Sequence, residues 1–364
     1  MKIKRGMLGL VKKNKKRLII FFLVFLLAAV LSVRLSRKPA VPTSRTATEG
    51  AGTGGQIAGP VQAPGGPICP GCVRRRIDGR LVEPGRENLF PVAVMIENHV
   101  DARPQAGLAQ ASLVYEAEAE GGITRFLAIF AGGEDIKKIG PVRSAREYYL
   151  NWAKELGGLY VHCGGSPEAL ADIPKLGILD FDEFFRGGYF WRDQARSAPH
   201  NLYTSSELLE RYLREKGRAE GDYQPWRFKD DQPPAEAASS SILIVFKAPD
   251  SVVEWKYDRG SDSYLRYQAG QPHLDADGRQ ITAKNVVIQF VRSKIIDEKL
   301  RLRLDNIGSG GAEICQDGNC RPGSWKKDSA ASRTRYYYGD GEEAVFDAGP
   351  IWVEVVAKGR QVNF

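Results

Sequence analysis

The longest apolar run of the chain lies close to its N-terminus. Residues 18–33 read LIIFFLVFLLAAVLSV and contain no charged side chain. A helix of this length extends about 24 Å, which crosses a bilayer when Leu35 and snorkelling basic side chains lengthen it. The pattern therefore predicts a single transmembrane anchor over residues 18–35.

Basic residues flank this run unevenly. Eight Lys and Arg residues precede it in residues 1–17, and fewer follow it closely. The positive-inside rule then places residues 1–17 in the cytoplasm as a basic tail and the folded part of the chain outside the cell membrane. A cleaved signal peptide is the alternative interpretation, but no small-x-small cleavage site and no lipobox cysteine directly follow the run.

Residues 36–76 are rich in Pro, Gly, Ala and Thr and contain few large apolar side chains. Such a segment cannot bury enough surface to fold by itself. We predict that it is a flexible tether between the membrane and the folded domains.

Strand-like and helical patterns alternate across residues 77–222, as is typical of an α/β domain. A Glu lies three residues after Ser144 and after Thr204, which is the spacing of a capping box, and Pro167 suits the first position of a helix. The predicted strands are 90–97, 124–130 and 159–163, and the predicted helices are 108–119, 144–156, one that begins at 167, and 208–216.

The pattern changes after residues 223–240, which are polar, contain Pro and are predicted to link two domains. Over residues 241–364, short apolar runs are separated by turns that contain Gly and Asp, the pattern of a mostly antiparallel β domain. The predicted strands there are 241–246, 263–267, 285–291, 300–304, 335–338 and 350–356. The predicted fold is thus an α/β N-terminal domain followed by a mostly antiparallel β C-terminal domain, behind a single N-terminal membrane anchor.

The distribution of charge along the chain decides whether a nucleic-acid partner is expected. The 364 residues carry a formal net charge of +8, which by itself would suggest a nucleic-acid partner. Residues 1–38 hold 11 of the 52 basic residues and no acid, so the remaining 41 basic and 44 acidic residues sum to −3. A folded part that is mildly acidic lacks the concentrated positive charge that phosphate backbones require, and we expect no nucleic-acid partner.

The chain contains five cysteines, and outside the cytoplasm pairs of cysteines are disulfide candidates. An Asp-Gly turn lies between Cys315 and Cys320, which predicts a hairpin tip closed by a disulfide. Cys69 and Cys72 form a CxxC motif whose role stays open, half of a zinc knuckle being one alternative. Cys163 lies in an apolar context and is expected to be a small buried residue.

Polar residues cluster at the ends of predicted strands and at the starts of predicted helices in the first domain. This is where open α/β sheets place a ligand crevice, and helix N-termini with nearby arginines can bind an anion. The alternative is that the arginines pair with Glu97, Glu116 and Glu120 inside the fold. The candidate ligand-binding residues are Asn98, Arg103, Gln105, Arg125, Arg143, Ser144, Arg146, Ser166 and Asn201.

An enzymatic role would use a Glu/His pair of the same domain for acid–base chemistry. The sequence contains no HExxH, no Gly-x-Ser-x-Gly, no phosphate loop and no dinucleotide fingerprint. We therefore predict no cofactor and no metal. The candidate catalytic residues are Glu116, Glu120, His162 and His200.

Both predicted domains contain short segments of distinctive sequence. These segments are PVAVMIENH at 91–99, ARPQAGL at 102–108, VYE at 114–116, EGGITRF at 120–126, residues 139–146, GGS at 164–166, APHNLY at 198–203, YLRY at 264–267, HLD at 273–275, NVV at 285–287 and GSWK at 323–326. With them the chain resembles the YerB-like family of Gram-positive bacteria, two-domain proteins of unknown function that are described as lipoproteins. The resemblance covers nearly everything from residue 77 onward. It implies an α/β domain and a β domain on the outer face of the membrane, with no assigned reaction.

Two features depart from the family pattern. Glu97 stands before Asn98 where an Asp is expected, and the apolar run is followed by no lipobox cysteine. The first departure leaves the position of that carboxylate open. The second implies that a helix, and not a lipid, anchors this chain.

Two functions follow as hypotheses. The first is a membrane-anchored, extracytoplasmic binding or scaffold module for an anionic ligand or an envelope partner, such as a wall polymer or a protein. The second is a cell-wall-directed hydrolase or transferase that uses the Glu/His pair.

Overall fold

The computed structural model describes residues 69–231 and 241–364, which belong to one compact unit. The predicted basic tail and anchor, the tether up to residue 68 and residues 232–240 lie outside the described residues. Within the described ranges, no helix is both long enough and apolar enough to cross a membrane.

The helices of the described residues are short, and all the α-helices among them lie within residues 69–231, which we call the first half; residues 241–364 are the second half. The α-helices are α1 Glu147–Leu156, α2 Pro167–Lys175, α3 Glu183–Arg186 and α4 Ser206–Glu215, with 3₁₀ turns at Val100–Ala102, Leu108–Gln110, Glu120–Gly122, Gly187–Tyr189 and Pro249–Ser251.

The strands are numbered in chain order. They are β1 Val73–Arg74, β2 Leu81–Val82, β3 Val92–Glu97, β4 Leu113–Glu118, β5 Thr124–Phe130, β6 Leu159–His162, β7 Leu179–Asp182, β8 Trp191–Arg192, β9 Leu202–Tyr203, β10 Arg227–Lys229, β11 Ser241–Val245, β12 Val252–Asp258, β13 Ser263–Gln268, β14 Gln271–Pro272, β15 Thr282–Ala283, β16 Asn285–Val291, β17 Ser293–Ile295, β18 Leu302–Leu304, β19 Gly308–Gln316, β20 Asn319–Lys327, β21 Arg335–Tyr338, β22 Val345–Asp347, β23 Ile351–Ala357 and β24 Gln361–Asn363.

A ten-stranded mixed sheet runs through both halves of the chain. Its order is β21-β20-β19-β16-β23-β4-β5-β3-β6-β7. The two halves meet where β23 pairs in parallel with β4, and both strands are buried along their whole length. On the far side of β5, the strands β3, β6 and β7 are parallel neighbours.

The large sheet is covered on both faces. Helices α1 and α2 pack on one face, which receives Ala93 and Met95 of β3. A smaller antiparallel sheet, β14-β13-β12-β11-β24 with β15, packs with α4 on the other face, which receives Val94 and Ile96. Because successive side chains of a strand point to opposite faces, β3 contributes to both cores and reads as a continuous apolar run.

The predicted fold class is confirmed: the first half is mixed α/β, and the second half consists mostly of antiparallel strands. The strand predicted at 124–130 has those bounds, and the strand predicted at 90–97 begins at Val92. The helix predicted at 108–119 is wrong, since a 3₁₀ turn at Leu108–Gln110 is followed by β4. Its Ala, Leu and Glu residues favour a helix, but pairing with β5 and β23 outweighs that intrinsic preference.

Two predicted helix starts are also corrected. Helix α1 begins at Glu147 with Arg146 as N-cap, because Ala145 is held extended by a bridge to Gly165. Helix α4 is capped by Ser205, whose side chain accepts from Leu208 N, while Thr204 bridges to Ile139. The third start is as predicted: Ser166 caps α2, and Pro occupies its first turn.

Candidate functional site

The carboxyl ends of β3, β6 and β7 meet at one edge of the large sheet, which we call the carboxyl edge. Parallel α/β sheets place ligands at such an edge. The loop that precedes α1 enters it, because Arg143 N donates to Met95 O at 2.9 Å and Arg143 O accepts from Cys163 N at 3.1 Å. Arg143 therefore lies between the ends of β3 and β6.

Glu97, the last residue of β3, is the centre of the polar contacts at this edge. One carboxylate oxygen lies 3.0 Å from Arg143 Nε, and the other lies 2.9 Å from His200 Nδ1. The Glu97 side chain is almost fully buried, so both partners compensate a charge that water does not reach. At the carboxyl edge, His200 is thus paired with Glu97 and not with either candidate glutamate, Glu116 or Glu120.

His99 and Asp101 lie beside this pair. The rings of His99 and His200 are stacked with centroids 4.8 Å apart. One oxygen of Asp101, Oδ2, lies 3.5 Å from His99 Nδ1 and 4.0 Å from His200 Nε2. The imidazoles of His99 and His200 and the carboxylate of Asp101 thus lie close together at the carboxyl edge, and the Asp101 side chain is exposed to solvent.

A second ionic group contains Arg125, Arg146 and Glu120. Arg146 Nε donates to Glu120, and Arg125 Nη2 lies 3.6 Å from the other oxygen of that carboxylate. Burial acts to raise the pKa of Glu120, but the two guanidinium groups outweigh it and hold the pKa below its usual value. Burial, together with the charge of Arg146, lowers the pKa of Arg125.

Four candidates belong instead to a buried polar network between the halves. Asn98 donates to Thr124 Oγ1 at 2.7 Å and accepts from Arg103 and Gln105, and Gln105 contacts His273 Nε2 at 2.8 Å. Glu116 accepts from Arg266 at 2.6 Å. Asn98, Gln105 and Glu116 have no exposed surface, so they join the two halves and do not face a ligand from solvent.

The remaining candidates stabilise local structure. His162 is buried, with Nε2 2.7 Å from Asp180 Oδ1 and Nδ1 2.8 Å from Gly164 O. Ser144 accepts from Arg125 through its backbone carbonyl, Ser166 caps α2, and Asn201 donates to the carbonyls of Asp193 and Arg196.

The cysteines form two disulfides in the structure, Cys69–Cys72 and Cys315–Cys320. Cys163 is free, and its Sγ lies 3.4 Å from Glu183 Oε2. Burial, with the negative charge of Glu183, raises the pKa of this thiol to about 11. At neutral pH it is therefore protonated and a poor nucleophile.

A cavity of about 440 Å³ lies at the opposite end of the same strands. Its lining includes Lys154, Arg218, Glu220 and Arg333, and none of the predicted site residues borders it. The sequence contains no local motif for it, because the lining comes from separate segments of both halves.

The candidate residues predicted from the sequence include neither His99 nor Asp101, and Glu97 is predicted only as an internal partner of an arginine. The signal near β3 is the series Glu97, His99, Asp101, in which every second residue can bind a cation or donate a proton. The other half of the group, His200, lies about a hundred residues away in the chain, so local spacing does not show it.

Comparison with known proteins agrees with this architecture. Residues 79–219 match the family described as "Protein of unknown function (DUF3048) N-terminal domain", and residues 242–353 match its C-terminal domain. The chain belongs to the DUF3048 family.

The YerB protein of Bacillus subtilis supports this assignment both by sequence and by structure, and it confirms the YerB-like resemblance. The chain is 33% identical over 275 residues to "Putative lipoprotein YerB" of Bacillus subtilis (strain 168), which is 73% of this chain and 81% of that protein. It also matches the crystal structure of the YerB protein from Bacillus subtilis with a TM-score of 0.71 and 29% identity, over 80% of this chain and 100% of that one. The DUF3048 N-terminal domain contains the whole carboxyl edge.

Proposed function

We propose that this DUF3048 protein is a binding module of the cell envelope that holds an anionic ligand at the carboxyl edge through Arg143. The ligand would be a phosphate- or carboxylate-bearing group of an envelope polymer or protein. The proposal rests on the position and the unused hydrogen-bonding capacity of this one guanidinium group.

The contact between Arg143 and Glu97 leaves most of the Arg143 guanidinium group available for a ligand. Arg143 faces Glu97 through Nε only, and its side chain is 27% exposed. The described residues supply no hydrogen-bond partner to its two terminal nitrogens. Guanidinium groups bind carboxylate and phosphate most strongly through two parallel N–H groups, and Arg143 retains that pair.

The surrounding charge also favours an anion. Arg125, Arg143 and Arg146 face only Glu97 and Glu120 among their ion-pair partners in the described residues. Burial lowers the pKa of Arg125, and the nearby positive charge of Arg146 lowers it further, so these two guanidinium groups repel each other. A bound anion would relieve that repulsion.

We further propose that the folded part is attached to the outer face of the cell membrane. The relative YerB is named a lipoprotein, which supports membrane attachment in this family. In this chain, the uncharged residues 18–33 and the preceding basic residues favour a single membrane span with the N-terminus in the cytoplasm.

Arg143→Gln tests the anion site with inorganic phosphate as the probe. Thermal unfolding is followed with and without phosphate, in EDTA and at constant ionic strength. Phosphate should raise the Tm of the wild type, because a ligand that binds the folded state stabilises it. The variant should bind phosphate more weakly by about 1.5–3 kcal/mol, since it loses a charged hydrogen bond.

The matched control is Arg292→Gln, which removes an exposed arginine paired with Asp305. That variant should keep the response to phosphate. Without phosphate, Arg143→Gln should itself lose about 1.5–3 kcal/mol of stability, because the nearly buried Glu97 keeps only His200 as a partner, so the change in Tm on adding phosphate, and not the Tm itself, measures the site. A wild type that does not respond to phosphate, or a response that Arg143→Gln leaves intact, would refute the anion site.

A further inference from the structure

The cluster of His99, Asp101 and His200 at the carboxyl edge contains three side chains that commonly bind transition metals. Their ligand atoms all lie within 4.8 Å of one another. No motif in the sequence predicts this grouping, and the proposed anion site does not use these three residues. We propose that they form a site for a divalent cation of the zinc class.

The distances around Asp101 match the requirements of such a site. Zinc lies about 2.0–2.2 Å from imidazole nitrogen and carboxylate oxygen, so tetrahedral ligand atoms are about 3.4 Å apart. Asp101 Oδ2 lies 3.5 Å from His99 Nδ1 and 4.0 Å from His200 Nε2. A small movement of the exposed Asp101 side chain brings both separations into that range.

The contact between Glu97 and His200 is the observation that most strongly supports a metal site. A carboxylate can only accept a hydrogen bond, so the 2.9 Å contact between Glu97 and His200 Nδ1 places a proton on Nδ1. In the neutral imidazole, Nε2, which lies 4.0 Å from Asp101 Oδ2, then keeps a lone pair for a metal. Metal-binding histidines are commonly oriented by a carboxylate in this way, which sets the tautomer and strengthens the ligand. Glu97 itself is held by Arg143 and by its burial.

The site requires two existing contacts to change. Because the stacked rings of His99 and His200 cannot both direct an in-plane nitrogen lone pair at one ion, the two rings must turn out of the stack. Asp101 N donates a 3.2 Å hydrogen bond to His99 Nδ1, and a metal on that nitrogen would replace it. A neutral hydrogen bond contributes only about 1 kcal/mol, so its loss is small beside the binding of a metal by three ligands.

Three protein ligands leave a fourth position of a tetrahedral site open. In zinc proteins this arrangement binds water or an external ligand, whereas structural sites are closed by a fourth protein ligand. The open position would face solvent, since Asp101 is 68% exposed. The inferred ion is therefore one that can exchange ligands and not one that only stabilises the fold.

Isothermal titration calorimetry with Zn²⁺ tests the site on the full-length protein, stripped of metal and kept without reductant. The wild type should bind one equivalent of Zn²⁺. Asp101→Asn and His99→Gln should each weaken the binding at least tenfold. Glu97→Gln, which removes the carboxylate that orients His200 and also pairs with Arg143, should weaken it about 10–100-fold.

The matched control is Asp135→Asn, because Asp135 is as exposed as Asp101 and contacts only a lysine, Lys137, among its ion-pair partners in the described ranges. This variant should bind Zn²⁺ like the wild type, and circular dichroism should show that all variants are folded. A wild type that takes up no Zn²⁺ would overturn the inference, as would equal affinity in Asp101→Asn, His99→Gln and the wild type. Because the phosphate experiment is done in EDTA, its result and this one are independent.

Discussion

Glu116 and Glu354 face each other across β4 and β23, and neither has exposed surface. Glu116 accepts from Arg266 at 2.6 Å, whereas Glu354 accepts from Trp255 Nε1 at 2.8 Å. Burial, together with the negative charge of Glu116, raises the pKa of Glu354 well above its usual value. Two neighbouring carboxyl groups thus have different roles at the residue scale: Glu116 is the partner of an arginine, whereas the surroundings of Glu354 favour its protonated form.

We expect Glu354→Gln and Glu116→Gln to change stability in opposite directions. Folding raises the pKa of Glu354, so the folded state holds this proton more tightly, and stability falls as the pH rises above about 4.5. Relative to the wild type, Glu354→Gln should therefore be more stable at pH 7 and show little difference near pH 4. Urea unfolding at several pH values measures this difference.

Glu116→Gln is the matched variant in the facing strand. It leaves the buried Arg266 without its carboxylate, and the loss should be about 3 kcal/mol at pH 7. Equal losses in the two variants, or a difference between Glu354→Gln and wild type that does not change with pH, would contradict these roles.

At the scale of elements, the hairpin β19–β20 has the turn that its local sequence predicts. Asp317 and Gly318 both have positive φ, the geometry of a tight two-residue turn, and Cys315 pairs with Cys320 across it. Strand β4 shows the opposite case. Its residues favour a helix locally, and its neighbours in the sheet make it a strand.

The Cys315–Cys320 disulfide is predicted to form in the mature protein. Mass spectrometry of unreduced peptides should find the two cysteines linked. Replacing both with Ala should lower the free energy of unfolding by about 2 kcal/mol, as expected for a loop this short. Alkylation of both thiols without reductant would refute the prediction. The comparison variant replaces both cysteines of the other disulfide, Cys69 and Cys72, with Ala.

At the scale of the whole molecule, the two halves form one structure because β23 lies between β16 and β4. The two DUF3048 domains share that sheet and the buried network around Glu116 and Arg266. The carboxyl edge lies in the first domain, on the side of β5 away from the junction with the second.

The proposed topology also belongs to this scale. A cysteine in place of Thr48, in a Cys163→Ser background, should react with a membrane-impermeant maleimide on intact cells. A cysteine in place of Asn14 should react only after lysis, because the basic tail is proposed to lie in the cytoplasm. Labelling of the Thr48 position only after lysis would refute this orientation.

Local patterns of the sequence predicted the elements that depend on neighbouring residues. These are the strand Thr124–Phe130, the start of α2 at Ser166 and Pro167, and the Asp-Gly hairpin turn. Each depends on side-chain alternation, on a cap or on a turn conformation, all of which involve residues a few positions apart.

Which distant residues meet depends on how separate segments pack against each other. Glu97 faces His200 across 103 positions, Glu116 faces Arg266 across 150, and β4 is a strand because β5 and β23 pair with it. The candidate list therefore mixed residues of the buried network with residues of the carboxyl edge. In the sequence, the residues of both groups are polar residues near strand ends. They differ in how deeply they are buried, and burial depends on which segments pack against each other.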